Sequence, residues 1–281
     1  MPVTDTPLRY PGGKSQLSPF VVEILRSNNL FYGTYVEPFA GGCGIAWTLL
    51  LNRYVTEVHI NDIDRSIHSF WASVLKDTDA LCERIRRTPI TISEWHRQRD
   101  VQKMPRPKRI DLAFSTLFLN RTNRSGILKG GVIGGLQQNG NYSLDCRFNR
   151  EDLISKIERI ATHKNNVHLF RMDAERFIKQ ELPSLDSDTL VNIDPPYYQA
   201  GPELYTRFYN HEDHVSLAKA VGGIKQRWMV TYDDSSEIRK IYKKYPIYTQ
   251  ELTYYAQVKR KGTELLILDP KLKMRNLNAV A

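Results

Sequence analysis

Two rhythms of apolar residues alternate along the chain. Short runs at consecutive or alternate positions read as strands: Tyr35-Val36, then Val55, Val58 and Ile60 in VTEVHINDID, NVHLFRMD ending near Asp173, and LVNI before Asp194. RWMVTYDD is another, and IYTQELTYYAQ with TELLILDP reads as a closing pair, a hairpin around KRKGT. Between them lie stretches with helical character: LSPFVVEILRSNN, Ile45 to Leu51, SIHSFWASVLKD, the segment after Asp173, HVSLAKAVGGIK and SSEIRKIYKKY. Strand, glycine loop, helix, then a strand ending in an acid is the opening of a doubly wound α/β sheet.

The alternation breaks in the middle. CERIRRTPITISEWHRQRDVQKMPRPKRID is polar and basic, LAFSTLFLNRT reads as a buried helix, and SGILKGGVIGGLQQNGNYSLDCRFN holds too many glycines for a regular helix. The expectation is an α/β core from residues 1–71 and 161–281, carrying an inserted, largely helical domain at 72–160. Asn120-Arg121 sits inside the apolar run, where a buried guanidinium needs a partner; a structural pin or a contact to a polyanion both satisfy that.

The whole chain of 281 residues carries a net charge of +9, with a pI near 9.4. That surplus suggests a polyanionic partner. Three widely spaced cysteines, Cys43, Cys82 and Cys146, form no metal motif and no disulfide framework. The N-terminal stretch lacks the apolar core of a signal peptide, and no run approaches the ~18 apolar residues of a membrane span. A cytoplasmic protein with reduced thiols and no metal is the expectation; nothing in the chain names a protein partner.

Chemistry enters at three places. The loop after Tyr35-Val36 lets backbone approach a ligand, yet GxGxxG is absent and no GK[ST] follows, so neither a dinucleotide nor a P-loop site is indicated. Asp62, ending the next strand, is placed for ribose hydroxyls; its other reading is a helix cap, a task that Asp64 can also do. A nucleoside without a pyrophosphate fits this pair, and S-adenosyl-L-methionine is such a ligand. Third, Asp194-Pro195-Pro196-Tyr197 is either a stiff turn or an amine-holding corner. The Asp194 carboxylate and the Pro195 carbonyl can accept from one exocyclic NH₂ while Tyr197 offers a ring for stacking. Two acceptors make that nitrogen a better nucleophile toward a methyl sulfonium.

LRYPGGK, YVEPFAGGCG, NDID, FLNRT and DPPY occur in this order over roughly residues 7–270. The set resembles the Dam-type family of DNA N6-adenine methyltransferases in its α-class arrangement. The resemblance implies a Rossmann-like, S-adenosylmethionine-dependent methyltransferase core with an inserted target-recognition domain, acting on double-stranded DNA. It implies that Tyr10, Lys14, Glu37, Pro38, Phe39, Ala40, Gly41, Gly42, Asp62, Ile63 and Asp173 serve the methyl donor. Asp194, Pro195, Pro196 and Tyr197 would hold the flipped adenine. Asp173 is otherwise a helix cap, and Cys43 is a mild departure from the family's loop. For DNA, Arg97 and Arg99 in the basic stretch and Arg124, Lys129, Gln137, Gln138, Asn139 and Asn141 in the glycine-rich stretch have suitable chemistry. Methylation of RNA or of cytosine N4, and a DNA-binding protein without activity, are the rival readings. A protein-glutamine methyltransferase fits less well, since that group typically has Asn in place of Asp194.

Overall fold

The computed structural model describes residues 4–9, 14–199, 209–255 and 259–273. Contacts divide the chain into two compact units, one of Met1–Gly13 with Asp64–Asn165 and one of Lys14–Ile63 with Asn166–Ala281.

The second unit is the α/β layer. Its elements are α1 (Ser18–Ser27), β1 (Thr34–Glu37), α2 (Gly44–Leu51), β2 (Glu57–Asn61), β3 (Val167–Phe170), α8 (Ala174–Gln180), β4 (Leu190–Ile193), α9 (His211–Gly222), β5 (Arg227–Asp233), α10 (Ser236–Ile241), β6 (Ile247–Tyr255) and β7 (Lys259–Leu268). The seven strands run in the order β3-β2-β1-β4-β5-β7-β6. The first five are parallel, and β7 joins β5 antiparallel and pairs with β6; KRKGT, expected at the turn of the closing pair, is instead the first half of β7, hydrogen-bonded along β6. Strand order reverses between β1 and β4, so this is the crevice where open α/β sheets take ligands.

Side chains alternate across the sheet. Val36, Val191, Ile193, Val230, Tyr232, Leu265 and Ile267 face one way, into a core closed by Phe177 of α8, Leu217 and Val221 of α9 and Ile238 of α10. Their neighbours face the other way and are not all apolar. Tyr35, Glu37, Asn192, Thr231 and Glu264 are buried there, on the neighbouring strands β1, β4, β5 and β7. A polar stripe across a buried sheet face costs stability unless its members satisfy one another.

The first unit is helical: α3 (Arg65–Lys76), α4 (Thr78–Arg87), α5 (Ile92–Lys103), α6 (Arg109–Thr122) and α7 (Arg150–Ala161). The basic stretch thus carries two helices that charge density hides in the sequence. Leu81, Cys82 and Ile85 bury one face of α4, and Trp95 anchors α5, whose N-cap Thr91 accepts from the Glu94 amide. Much of the positive charge is paired: Arg84 with Asp111 at 2.6 Å, Arg109 with Asp77 at 2.8 Å. Every residue of α6 from Leu112 to Asn120 is buried. At its end, Asn120 accepts from the Arg9 amide at 2.7 Å and donates to the Arg9 and Gly126 carbonyls, while Arg121 Nε donates to the Pro7 carbonyl at 2.7 Å. Asn120-Arg121 therefore pins the N-terminal segment inside this unit. Burial, with Arg9 and Arg147 nearby, lowers the Arg121 guanidinium to about 10. The glycine-rich stretch is irregular, as expected, apart from a single bridge between Asn123 and Val132 and a short 3₁₀ turn.

Candidate active site

Four parallel strands end in or just before acids on the carboxyl edge: Glu37 in β1, Asp62 after β2, Asp173 after β3 and Asp194 after β4. In a chain of net charge +9, four carboxyl groups gather on this one edge, one of them close to Lys14.

The loop after β1 is held by its own backbone and by two neighbours. Ala40 N–H donates to the Asn61 carbonyl at 2.9 Å, and Gly41 N–H to Asp62 Oδ2 at 2.9 Å. Gly41 takes φ 47°, which glycine adopts without strain. A side chain at Gly44 would place Cβ 2.2 Å from Ser15 Oγ, so the loop packs directly on the segment carrying Lys14. Asn61, buried at 1% exposure, donates to the carbonyls of Pro38 (2.9 Å) and Met172 (3.0 Å) and accepts from the Met172 amide (2.8 Å). It ties the loop after β1 to the loop after β3, a role that reading NDID for its acids alone misses.

The other residues of this cluster fall into place individually. Asp64, not Asp62, caps α3, accepting from the Ser66 amide at 2.7 Å. Asp173 caps α8 through the Arg176 amide at 3.1 Å. Phe39 packs its ring edge-on to Tyr209 at 5.9 Å, and Ile63 is half-buried, with its carbonyl near the Arg171 guanidinium. Cys43 is buried and takes φ 49° at the start of α2. Tyr10 and the Pro11-Gly12-Gly13 turn lie outside the described residues.

Glu37 hydrogen-bonds Tyr35 at 3.1 Å and the Asn192 side chain. Burial, eased by the Tyr35 bond and reinforced by the Asp194 charge, pushes Glu37 up to about 8. Below pH 4.5, its ordinary value, folded and unfolded chains both hold this proton; between 4.5 and about 8 only the folded chain does. Stability linked to Glu37 is thus complete below 4.5 and is lost as pH rises toward 8. Glu37→Gln should make unfolding free energy, measured by denaturant titration, less steep over that window by up to about 1.4 kcal/mol per pH unit. An unchanged slope would mean Glu37 is ionised when folded.

At the end of β4 the DPPY turn is fixed from both sides. Thr231 donates to Asp194 Oδ1 at 2.6 Å. Asp233 accepts from the amides of Tyr198 (2.8 Å) and Gln199 (2.9 Å). Tyr198 turns to α9, its hydroxyl 3.1 Å from His211 Nδ1 and its ring 5.1 Å from that of His214. It therefore packs on the core side, away from the polar stripe. Tyr197 is 7% exposed and its hydroxyl donates to Glu264 Oε1 at 2.7 Å. Lys14, a buried residue and not a surface lysine, donates to the Tyr197 hydroxyl at 2.6 Å and pairs with Glu264 Oε2 at 2.6 Å and Asp194 Oδ1 at 3.6 Å. Lys14 and DPPY thus meet in one corner. Glu264 and Thr231 are the members that sequence motifs missed; the signal was a polar residue inside an apolar strand, VTY and TELLIL.

Away from this edge, Glu57, His59 and His168 bring a carboxylate and two imidazole nitrogens within 4.8 Å of one another on the β2–β3 face, with the two rings stacked at 4.3 Å. Burial and the neighbouring ring drive His59 down to about 4, so its imidazole is neutral.

In the helical unit, Arg97 pairs with Glu94 at 2.7 Å, its guanidinium otherwise exposed. Arg99 lies 5.1 Å from the centre of the Trp95 ring and donates to the carbonyls of Lys129 (3.3 Å) and Gly130 (3.1 Å), bracing the glycine-rich stretch. Arg124, Lys129, Gln137, Asn139 and Asn141 are exposed. Gln138 instead turns inward, donating to the Ile133 and Gly135 carbonyls and accepting from the Leu144 amide.

The reversed sheet order brings the glycine loop after β1 and the DPPY turn after β4 to adjoining strand ends at one switch point of an α/β fold. Residues 10–256 match the D12 class of N6 adenine-specific DNA methyltransferases, and the chain belongs to that family. It is a site-specific adenine DNA methyltransferase, with S-adenosylmethionine as the methyl donor. The Type II methyltransferase M.MjaIII of Methanocaldococcus jannaschii is 26% identical over 235 residues, covering 75% of this chain and 77% of that protein. Among solved structures, the rRNA methyltransferase aviRa from Streptomyces viridochromogenes covers 89% of this chain and 83% of its own at 13% identity and a TM-score of 0.39. A SAM-dependent methyltransferase from Agrobacterium tumefaciens covers 90% and 62%, at 9% identity and a TM-score of 0.40. No described helix is long and apolar enough to cross a membrane.

Proposed function

We propose that this enzyme extrudes an adenine from double-stranded DNA and holds its N6 amine between the Asp194 carboxylate and the Pro195 carbonyl, with Tyr197 beside the base. The observation that carries this reading is the switch point itself: the glycine loop after β1 and DPPY after β4 lie on adjacent parallel strands. Glu37 to Gly42, Asp62, Ile63 and Asp173 surround the donor's place, and the Asp62 and Asp173 carboxyls suit its sulfonium and ammonium charges. When bound, the donor supplies an electrophilic methyl on sulfur. The adenine nitrogen forms the new N–C bond with its lone pair while the C–S bond breaks toward sulfur; the amine proton then leaves to Asp194 or to water.

The insertion, residues 72–160, is proposed as the target-recognition domain. Arg124 and Lys129 supply charge for phosphates, together with the exposed guanidinium of Arg97. Gln137, Asn139 and Asn141 are suited to adenine edges in the major groove, and Arg99 holds the loop that presents them. The kinship with a Type II methyltransferase supports a place in a restriction–modification system in the cytoplasm, where DNA and reduced thiols coexist.

Expression in a methylation-free host, followed by methylation-aware sequencing, tests the reading. The expected result is N6-methyladenine at every copy of one short sequence. Methylation confined to RNA or to cytosine would overturn it. Arg124→Glu with Lys129→Glu should weaken duplex binding at all sequences and lower the salt slope by about 2.

A further inference from the structure

We infer that Glu264 is a positioning residue for methyl transfer: it draws the Lys14 ammonium away from Asp194 and fixes Tyr197, so that Asp194 stays open to the target amine. The inference rests on the proposed role of Asp194 as the amine acceptor.

Glu264 lies in β7, beyond β5 from DPPY, where the apolar half of that strand begins. Its side chain is 1% exposed. A carboxylate there is costly unless both oxygens are engaged. Both are: Oε1 accepts from the Tyr197 hydroxyl at 2.7 Å and Oε2 meets Lys14 Nζ at 2.6 Å. Lys14 closes the ring by donating to the Tyr197 oxygen at 2.6 Å. Each of the three side chains is thus held by the other two.

The ring decides where one buried cation rests between two carboxylates. Lys14 Nζ stands 2.6 Å from Glu264 but 3.6 Å from Asp194. Asp194 is the more exposed of the two, at 29%, and its Oδ1 already accepts from Thr231. The amine nitrogen gains positive character as it attacks, and a carboxylate beside it stabilises that charge. A lysine paired tightly with the same carboxylate would compete for its lone pairs and oppose the developing charge. Removing the Glu264 charge while keeping its shape leaves Asp194 as the nearest anion for Lys14.

The test is single-turnover methylation of a duplex containing the recognised sequence, followed against pH, with donor and duplex affinities measured separately. Glu264→Gln should lower the rate about 30-fold, the scale of one charge-assisted contact, with both affinities changed less than about threefold. The acid limb of its pH–rate profile should move to lower pH, because Lys14 now favours ionised Asp194. Adding Lys14→Met should bring the rate back to within about threefold of Lys14→Met alone, since the competing cation is gone. An unchanged rate in Glu264→Gln, or a loss with an unmoved acid limb and no recovery in the double variant, would overturn the proposal. If the single variant does not fold, the double variant, which buries no lone charge, carries the test. A double variant that binds donor but is far slower than Lys14→Met would then overturn it. Asp194→Ala in the same assay separates the two levels. Full activity there refutes the reading of the corner itself, whereas an inactive Asp194→Ala beside an unaffected Glu264→Gln refutes only this inference.

Discussion

Asp194→Ala should slow methyl transfer by at least about 10³-fold while donor affinity stays within about threefold of the parent enzyme. The size follows from what the carboxylate is asked to do. Adenine's exocyclic nitrogen is a poor nucleophile because its lone pair is conjugated with the ring. Only acceptors fixed in advance draw it out, and they act where charge develops. Asp194 is fixed in advance: β4 is buried along its whole length, two prolines follow, and Thr231 and the Asp233-bound amides clamp the turn. The Pro195 carbonyl remains after the substitution, so a residual rate above the uncatalysed reaction is expected. Donor affinity is spared because the glycine loop is held by Asn61 and Asp62, not by Asp194. Single-turnover transfer of labelled methyl and calorimetric donor binding measure both quantities. A rate within about tenfold of the parent would remove Asp194 from the chemistry.

The five parallel strands were legible because each is short, largely apolar and followed by an acid at or near its carboxyl end, whereas the basic start of β7 reads as a turn. The order of the motifs could place the donor loop and DPPY in one protein. It could not say that β1 and β4 adjoin, since sheet order is a property of non-local pairing. The helices α4 and α5 were obscured for a different reason. Their arginines are numerous, yet several are spent on pairs such as Arg84–Asp111 and Arg109–Asp77, which charge counting cannot reveal. Glu264 was hidden because a lone acid in TELLIL looks like an error in an apolar run until Lys14 and Tyr197 arrive from distant parts of the chain. Asp64 and Asp173 show the opposite case: both are helix caps, a use that their positions before SIHSFW and AERFI already suggested.

Asn61→Ala should cost about 3 kcal/mol of stability and weaken donor binding at least about tenfold. The side chain amide makes three hydrogen bonds, to both main-chain groups of Met172 and to the Pro38 carbonyl, in a place almost closed to water. Removing it leaves two carbonyls and an amide without their partner, and each buried orphan costs about 1–3 kcal/mol. Partial relaxation keeps the sum near the lower end. Donor binding suffers because Pro38 opens the glycine loop and Met172 precedes Asp173; the amide is the strap between these two loops. Asn61→Asp separates packing from polarity. It preserves the acceptor for the Met172 amide but sets a carboxylate oxygen against two carbonyls, so it should be at least as damaging as alanine despite its matching shape. Denaturant titration gives the stability and calorimetry the donor affinity. A loss of stability with unchanged donor affinity would confine Asn61 to holding the sheet edge, and the loops would then be organised by Asp62 and the backbone alone.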